Sequence, residues 1–148
     1  MTAINFSPLK PEHSRIAAHL RQADIDEINA LNGLPPDLAV AFSIADSEKG
    51  AAVFIDGDLS AVFGISRGVI WLVGTDKISQ FPVTFFRTSR RIFKDISKNY
   101  PKLENWVDAR NFLCLRWLQW LGFSISKPLT VGNSLFRHVV WEAEKCVL

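Results

Sequence analysis

The sequence predicts a mixed α/β domain, with a mostly antiparallel central sheet of about six to seven strands and helices on both faces. Between Ala51 and Val73 three apolar runs are separated by Asp56-Gly57 and Arg67-Gly68, the two-residue signals of tight hairpins. A helical period then intervenes before the apolar run from Leu103 to Val107, and a crossover of that length makes the strands it joins parallel neighbours. The stretch from Trp106 to Phe123 passes from a short strand into a helix that is apolar over most of its circumference, the pattern of a helix buried between layers.

Each element follows from local chemistry. Ala3 to Phe6 has the content of a short strand, closed by Ser7 and Pro8. Pro11 and Glu12 suit a helix first turn, with Ile16, Ala17 and Leu20 on one apolar face. Asp24 followed by Glu27 reads as a cap for a second helix, with Ile28 and Leu31 turned inward and Asn32 and Gly33 as its stop. Pro35 and Pro36 restart the chain, and Leu38, Ala41, Phe42 and Ala45 form the apolar face of a third helix. The meander runs over Ala51 to Ile55, Leu59 to Ile65 and Val69 to Val73. A helix from about Pro82 to Asn99 carries Phe86, Phe93, Ile96 and Tyr100 on one side and ends before Pro101.

After the strand Leu103 to Val107 the chain breaks at Asp108 and enters the last helix. There Phe112, Leu115, Leu118 and Leu121 recur at helical spacing, Leu113, Trp117 and Trp120 fill a second flank, and Gly122 is the stop. Phe123 to Ser126, a polar turn at Gly132 to Ser134 and a strand from Leu135 to Trp141 complete the order.

At 148 residues and 48% apolar content the chain is sized for a single domain, residues 1–148. Seventeen basic against 15 acidic residues give a net charge of +2, which argues against a generic nucleic-acid coat. The two cysteines, Cys114 and Cys146, make no disulfide framework and point to a reducing compartment. No window approaches the roughly 18–20 apolar residues of a membrane span, and the N-terminus lacks a signal-peptide pattern. The expectation is a soluble protein made in a cytoplasm. Its 11 Phe and 5 Trp serve the core first and a partner surface second.

His13, His19 and His138 have no metal-ligand spacing, so no metal is expected, and no Ser, Cys or Lys sits in a nucleophile motif. Arg87, Arg91, Lys94 and Lys98 fall at steps of four, three and four, with Arg90 beside them. This basic stripe reads first as a solvated helix face, then as a docking surface for an acidic protein. Nucleic acid comes last, because no aromatic side chains are interleaved.

The order of elements, together with Asn111, Cys114 three residues on and the close Leu121-Gly122-Phe123, resembles the GNAT superfamily of acyl-CoA N-acyltransferases. A narrower set of runs is similar to a GNAT-like family of short-tailed bacteriophages known as internal virion proteins. These are Trp71-Leu72-Val73-Gly74-Thr75-Asp76, Ser89-Arg90, Val107-Asp108-Ala109-Arg110-Asn111 and Trp120-Leu121-Gly122-Phe123.

The resemblance implies acetyl-CoA as cofactor, held by backbone groups of Leu72, Val73 and Gly74, with Thr75 either near the substrate or capping the turn beside Asp76. It gives Asn111 the cofactor arm to steady, unless that side chain simply caps its helix, and Asp108 is a base or a cap. Two departures stand out. Phe81 and Val83 lie where glycines of the phosphate loop would fall, and Leu118 replaces the usual tyrosine acid. Two functions therefore follow: a divergent acetyl-CoA-dependent N-acyltransferase, or a non-catalytic GNAT-fold phage protein acting in virion assembly or inside the virion. The phage reading places the chain in the host cytoplasm or the virion.

Overall fold

The computed structural model describes residues 2–143. One sheet holds eight strands: β1 (Ile4–Pro8), β2 (Lys49–Ile55), β3 (Asp58–Ser66), β4 (Val69–Gly74), β5 (Lys102–Asp108), β6 (Ser124–Ile125), β7 (Leu129–Val131) and β8 (Ser134–Glu142). Their order is β1-β2-β3-β4-β5-β8-β6, with β7 also on β8. Only β4 and β5 run parallel, as the intervening helix requires. The meander turns place Asp56 and Gly57 at φ +49° and +84°, and Arg67 and Gly68 at +51° and +82°. Left-handed backbone at both central residues matches the twist of the strands, and fixes the registers Ile55↔Asp58 and Ser66↔Val69.

A 3₁₀ helix (Pro11–His19) precedes α1 (Gln22–Leu31) and α2 (Pro36–Asp46). A short α3 (Lys77–Gln80) leads into α4 (Pro82–Ile96), and α5 (Phe112–Leu121) follows β5. Adjacent strand residues serve opposite faces. Ala52, Val62 and Val73 meet Ile16, Val40 and Ile44 on one side of the sheet. On the other, Val53, Phe63, Leu72, Leu103 and Val107 meet Phe85, Phe86 and Phe93 of α4 and Leu115, Trp117 and Leu118 of α5. Trp117 is fully buried, stacked 6.4 Å from Phe85 and edge-on to Phe63 at 5.4 Å.

Several expectations change. The first helical segment is 3₁₀ because the His13 amide bonds Lys10 C=O while the His13 ring accepts from the Lys10 amide, which tightens the turn. In α2 the residues facing the sheet are Val40 and Ile44; Leu38 and Phe42 point outward, Phe42 being 60% exposed. Helix α4 stops at Ile96, since the chain must turn through buried Ser97 into β5, so Lys98 leaves the helical face and pairs with Asp95 at 3.4 Å. Arg87, Arg90, Arg91 and Lys94 remain exposed.

Phe112, expected inside, is 72% exposed at the first residue of α5, and the inward face is Cys114, Leu115, Trp117, Leu118 and Leu121. Gly122 ends α5 at φ +104°, with the Phe123 amide donating to Leu118 C=O at 3.0 Å. Strand β7 was not expected; Gly132, at φ +62°, turns it back onto β8. Cys146 lies outside the described residues.

Candidate functional site

Strands β4 and β5 share one bridge, Val69 with Glu104, where the Glu104 amide donates to Gly68 C=O at 2.9 Å. Asn105 Nδ2 then donates to Ile70 C=O at 2.7 Å in place of a backbone group, and beyond it the strands part. On the far side of β4, the Thr75 amide donates to Ser60 C=O at 2.9 Å, which sets the phase of pairing with β3. Because antiparallel pairing alternates, Val73 also turns its peptide groups to β3, while those of Ile70, Leu72 and Gly74 face the parting.

The N-terminal turn of α1 fills the outer end of this parting with polar groups. Arg21 grips Asp24 through Nε at 3.1 Å and Nη2 at 2.9 Å. Asp24 Oδ2 accepts the Gly74 amide at 2.9 Å, and the Arg21 amide donates to Gly74 C=O at 2.9 Å. From α5's entrance, Asn111 Oδ1 accepts from Arg21 Nη2 at 2.9 Å, and Asn111 Nδ2 donates to Asp24 Oδ1 at 3.2 Å and Glu27 Oε2 at 3.4 Å. Arg21, Asp24 and Asn111 are all buried. A buried charge is tolerable only when paired and hydrogen-bonded, and this cluster meets that condition.

Two expectations are thereby corrected. Asp24 and Glu27 form no capping box, because the N-cap position is Arg21, without a side-chain cap bond, and both carboxylates turn inward to distant partners. Asn111 stands at the N-cap position of α5 but makes no side-chain cap bond; its side chain ties α1 to the start of α5.

Burial pushes the Asp24 carboxyl up, against the pull of Arg21, the Gly74 amide and Asn111. Glu27, half-buried, is lifted to about 7, first by desolvation and further by the nearby charges of Asp24 and Asp108; the Asp108 amide, donating to Oε1 at 2.6 Å, works the other way. Asp108 itself is held below the carboxylate range by its hydrogen bonds from Arg110, at 2.8 Å and 3.0 Å from the guanidinium. Of the two, Glu27 is the carboxylate poised to exchange a proton near neutrality.

A cavity of about 210 Å³ opens at the parting. Glu27, Ile28 and Leu31 of α1, Val40 and Phe42 of α2, Leu72 and Val73 of β4, and Cys114, Trp117 and Leu118 of α5 line it. The Trp117 indole N–H is buried without a hydrogen-bond partner among the described residues. Cys114 is desolvated, which pushes its thiol up, so it is a neutral wall and a poor nucleophile. Leu118 adds a hydrocarbon to the same wall.

Of the residues expected to hold a cofactor, Leu72, Gly74 and Asn111 meet at the parting, whereas Val73 contributes its side chain to the cavity. Thr75 is used twice elsewhere: its amide bonds β3, and its hydroxyl accepts from the Lys77 amide at 3.3 Å, so it caps α3. Phe81 begins α4 packed against the core, and Val83 beyond it is exposed. Sequence reasoning missed Arg21, Asp24 and Glu27 as site residues. A usable signal was present, since Asp24, Glu27, Ile28 and Leu31 fall on one helical stripe, and acids on an inward stripe need partners. Among the described residues no cluster of three or more His, Cys, Asp or Glu could hold a metal ion, and no helix is long and apolar enough to cross a membrane.

The sequence matches no protein-family model and no curated protein. Solved structures are similar along nearly the full chain. Ard1 from Thermoplasma volcanium aligns with a TM-score of 0.66 at 12% identity, over 97% of this chain and 99% of that one. An acetyltransferase of the GNAT family from Streptococcus pneumoniae aligns at 0.56 and 13%, covering 96% and 100%. The IAA acetyltransferase from Bacillus cereus gives 0.56 and 10%, covering 95% and 100%. The fold is that of the GNAT acetyltransferases.

Proposed function

We propose that this chain is a divergent acetyl-CoA-dependent N-acyltransferase with Glu27 as its general base. The observation that carries the reading is the parting of β4 from β5 into a cavity that reaches a carboxylate titrating near neutrality. An acyl thioester fits the inner part of this site, where Leu72 turns its peptide groups to the parting. At the outer end Phe81 and Val83 make no glycine cradle, and Gly74 and Asn111 are free to hold a pantetheine arm only when α1 releases them. The fit is to the reacting end of the cofactor.

When bound, the thioester supplies an electrophilic carbonyl and a thiolate leaving group, so that a C–N bond forms as a C–S bond breaks. Glu27 would accept the proton that the substrate ammonium must lose before its nitrogen can attack. Leu118, a hydrocarbon, would supply no proton to the leaving thiolate. Titration calorimetry with acetyl-CoA and thiol release in the presence of amines test the reading; absence of both heat and thiol overturns it.

A second reading is favoured by one specific observation. The ties from Arg21 and Asp24 to Gly74 occupy the edge of β4 that a cofactor would need, so the parting is already bridged. With the phage-type runs noted above, this supports a GNAT-fold phage protein without catalysis, docking an acidic partner through Arg87, Arg91 and Lys94 during assembly. Purified virions containing the chain, and loss of partner capture on Arg87→Glu with Arg91→Glu, are its expected results. Unchanged assembly of the double variant would leave the stripe a solvated face.

A further inference from the structure

The acyltransferase reading requires an amine, and the cavity restricts what that amine carries. Among the described residues Glu27 is the one charged residue in the cavity lining; no lysine, arginine or histidine accompanies it there. The remaining polar lining is sparse and partly spent, since Asn105 already donates to Ile70 C=O and accepts the Trp106 amide at 2.7 Å. At the mouth, Leu31 and Phe42 leave half or more of their surfaces exposed, 50% and 60%, with the same two residues, Val69 and Trp71 lining a wider groove that continues outward. Isolated exposed apolar residues are ordinary, but a set of them converging on one carboxylate forms a surface suited to a cation with an apolar body.

Size narrows the class further. A cavity of about 150 Å³ lined by Leu, Ile and Phe admits benzene. With the reacting end of a thioester in its inner part, the cavity of about 210 Å³ leaves its mouth and the groove beyond for one ring or branched alkyl group on a short arm. Among the described residues the one cation lining the groove is Arg67, on the β3–β4 turn and paired with Asp46 at 3.3 Å, and the guanidinium nearest Glu27, that of Arg21, is already taken by Asp24 and Asn111, so a carboxylate next to the amine would find no free partner.

Resting on the acyltransferase reading, we infer that the acceptor is a primary amine on a compact apolar stem, without a neighbouring carboxylate, seated with its nitrogen at Glu27 and its body against Leu31, Phe42 and Trp71. Zwitterionic amino acids, polyamines and amino sugars are poor acceptors.

The test is binding, read apart from turnover. Phenethylamine and isoamylamine are titrated into the full chain, with and without acetyl-CoA, and followed by calorimetry and by intrinsic tryptophan fluorescence. Saturable binding is expected, at least tenfold weaker in Glu27→Gln and several-fold weaker in Phe42→Ser, whose side chain is too exposed to affect folding. Phenylalanine and spermidine are expected to bind at least tenfold more weakly than phenethylamine. Equal binding of phenethylamine and phenylalanine, equal affinity of wild type and Glu27→Gln, or no binding with and without acetyl-CoA overturns the inference. Amine binding without any response to acetyl-CoA would instead remove the acyltransferase reading and retain the amine site, whereas thiol release with polar amines alone would retain the activity and remove the inferred class.

Discussion

Replacing Glu27 by Gln changes a charge without changing shape, and its effect on stability can be worked from the site. In the folded chain the carboxyl is lifted from an ordinary 4.5 to about 7. Below the lower value both states hold the proton and nothing is lost. Between the two the unfolded chain has ionised while the folded chain keeps its proton, so stability falls as pH rises; above about 7 the full penalty applies. At 1.36 kcal/mol per pKa unit, a shift of this size amounts to about 3 kcal/mol. Glutamine carries no such penalty and can still accept the Asp108 amide.

Urea unfolding of both proteins from pH 4 to pH 8 should therefore show a gap that widens by about 3 kcal/mol in favour of Glu27→Gln, most of it across the interval between the two pKa values. Other titrating groups are common to both proteins and largely cancel in the difference. Parallel stability curves would show that Glu27 is not desolvated in this way, and would remove the ground for its role as base.

Further outcomes follow from the same contacts. Arg21→Ala leaves Asp24 charged and buried without its partner, and should cost about 3–5 kcal/mol in urea unfolding, with part recovered in Arg21→Ala/Asp24→Ala. Gly50→Ala places a methyl group 2.6 Å from Phe63 C=O, a backbone contact that cannot yield, so expression should drop and the midpoint should fall by the equivalent of roughly 1–3 kcal/mol or more. Phe112→Ser should change stability by less than about 0.5 kcal/mol because the side chain is exposed, whereas Trp117→Ala should lose about 3–5 kcal/mol. If Glu27 acts as base, Glu27→Gln should lower kcat/KM about 10²–10⁴-fold and abolish its rise through neutral pH.

What the sequence disclosed and what it withheld divide along the range of the interactions. The meander was legible because its signals are local: alternating side chains and two turns whose second residue is glycine. The close of α5 was legible for the same reason, since Gly122 alone can take the left-handed stop without strain. Helix faces were harder. In α2, Leu38 and Phe42 form as apolar a stripe as Val40 and Ile44, and only the position of the sheet decides between them. In α5, the spacing that includes Phe112 is helical, yet that residue sits in a first turn lying beyond the core. The polar cluster was least legible. Asp24 meets Gly74 across 50 residues and Asn111 across 87, and a local reading of the same acids yields an ordinary cap.

The single bridge between β4 and β5 has a consequence for how the molecule breathes. A continuous sheet protects its amides by strand pairing, so that exchange with solvent requires strands to separate. The Gly74 amide is a strand amide whose acceptor is instead the side chain of Asp24, carried on a helix. Its exchange is governed by the fraying of α1's first turn and by the ionisation of one carboxyl group, while its neighbour Thr75, bonded to β3, reports the sheet itself. Two adjacent peptide groups thus hang on different partners, one on a helix side chain and the other on the sheet, and their exchange rates are expected to diverge.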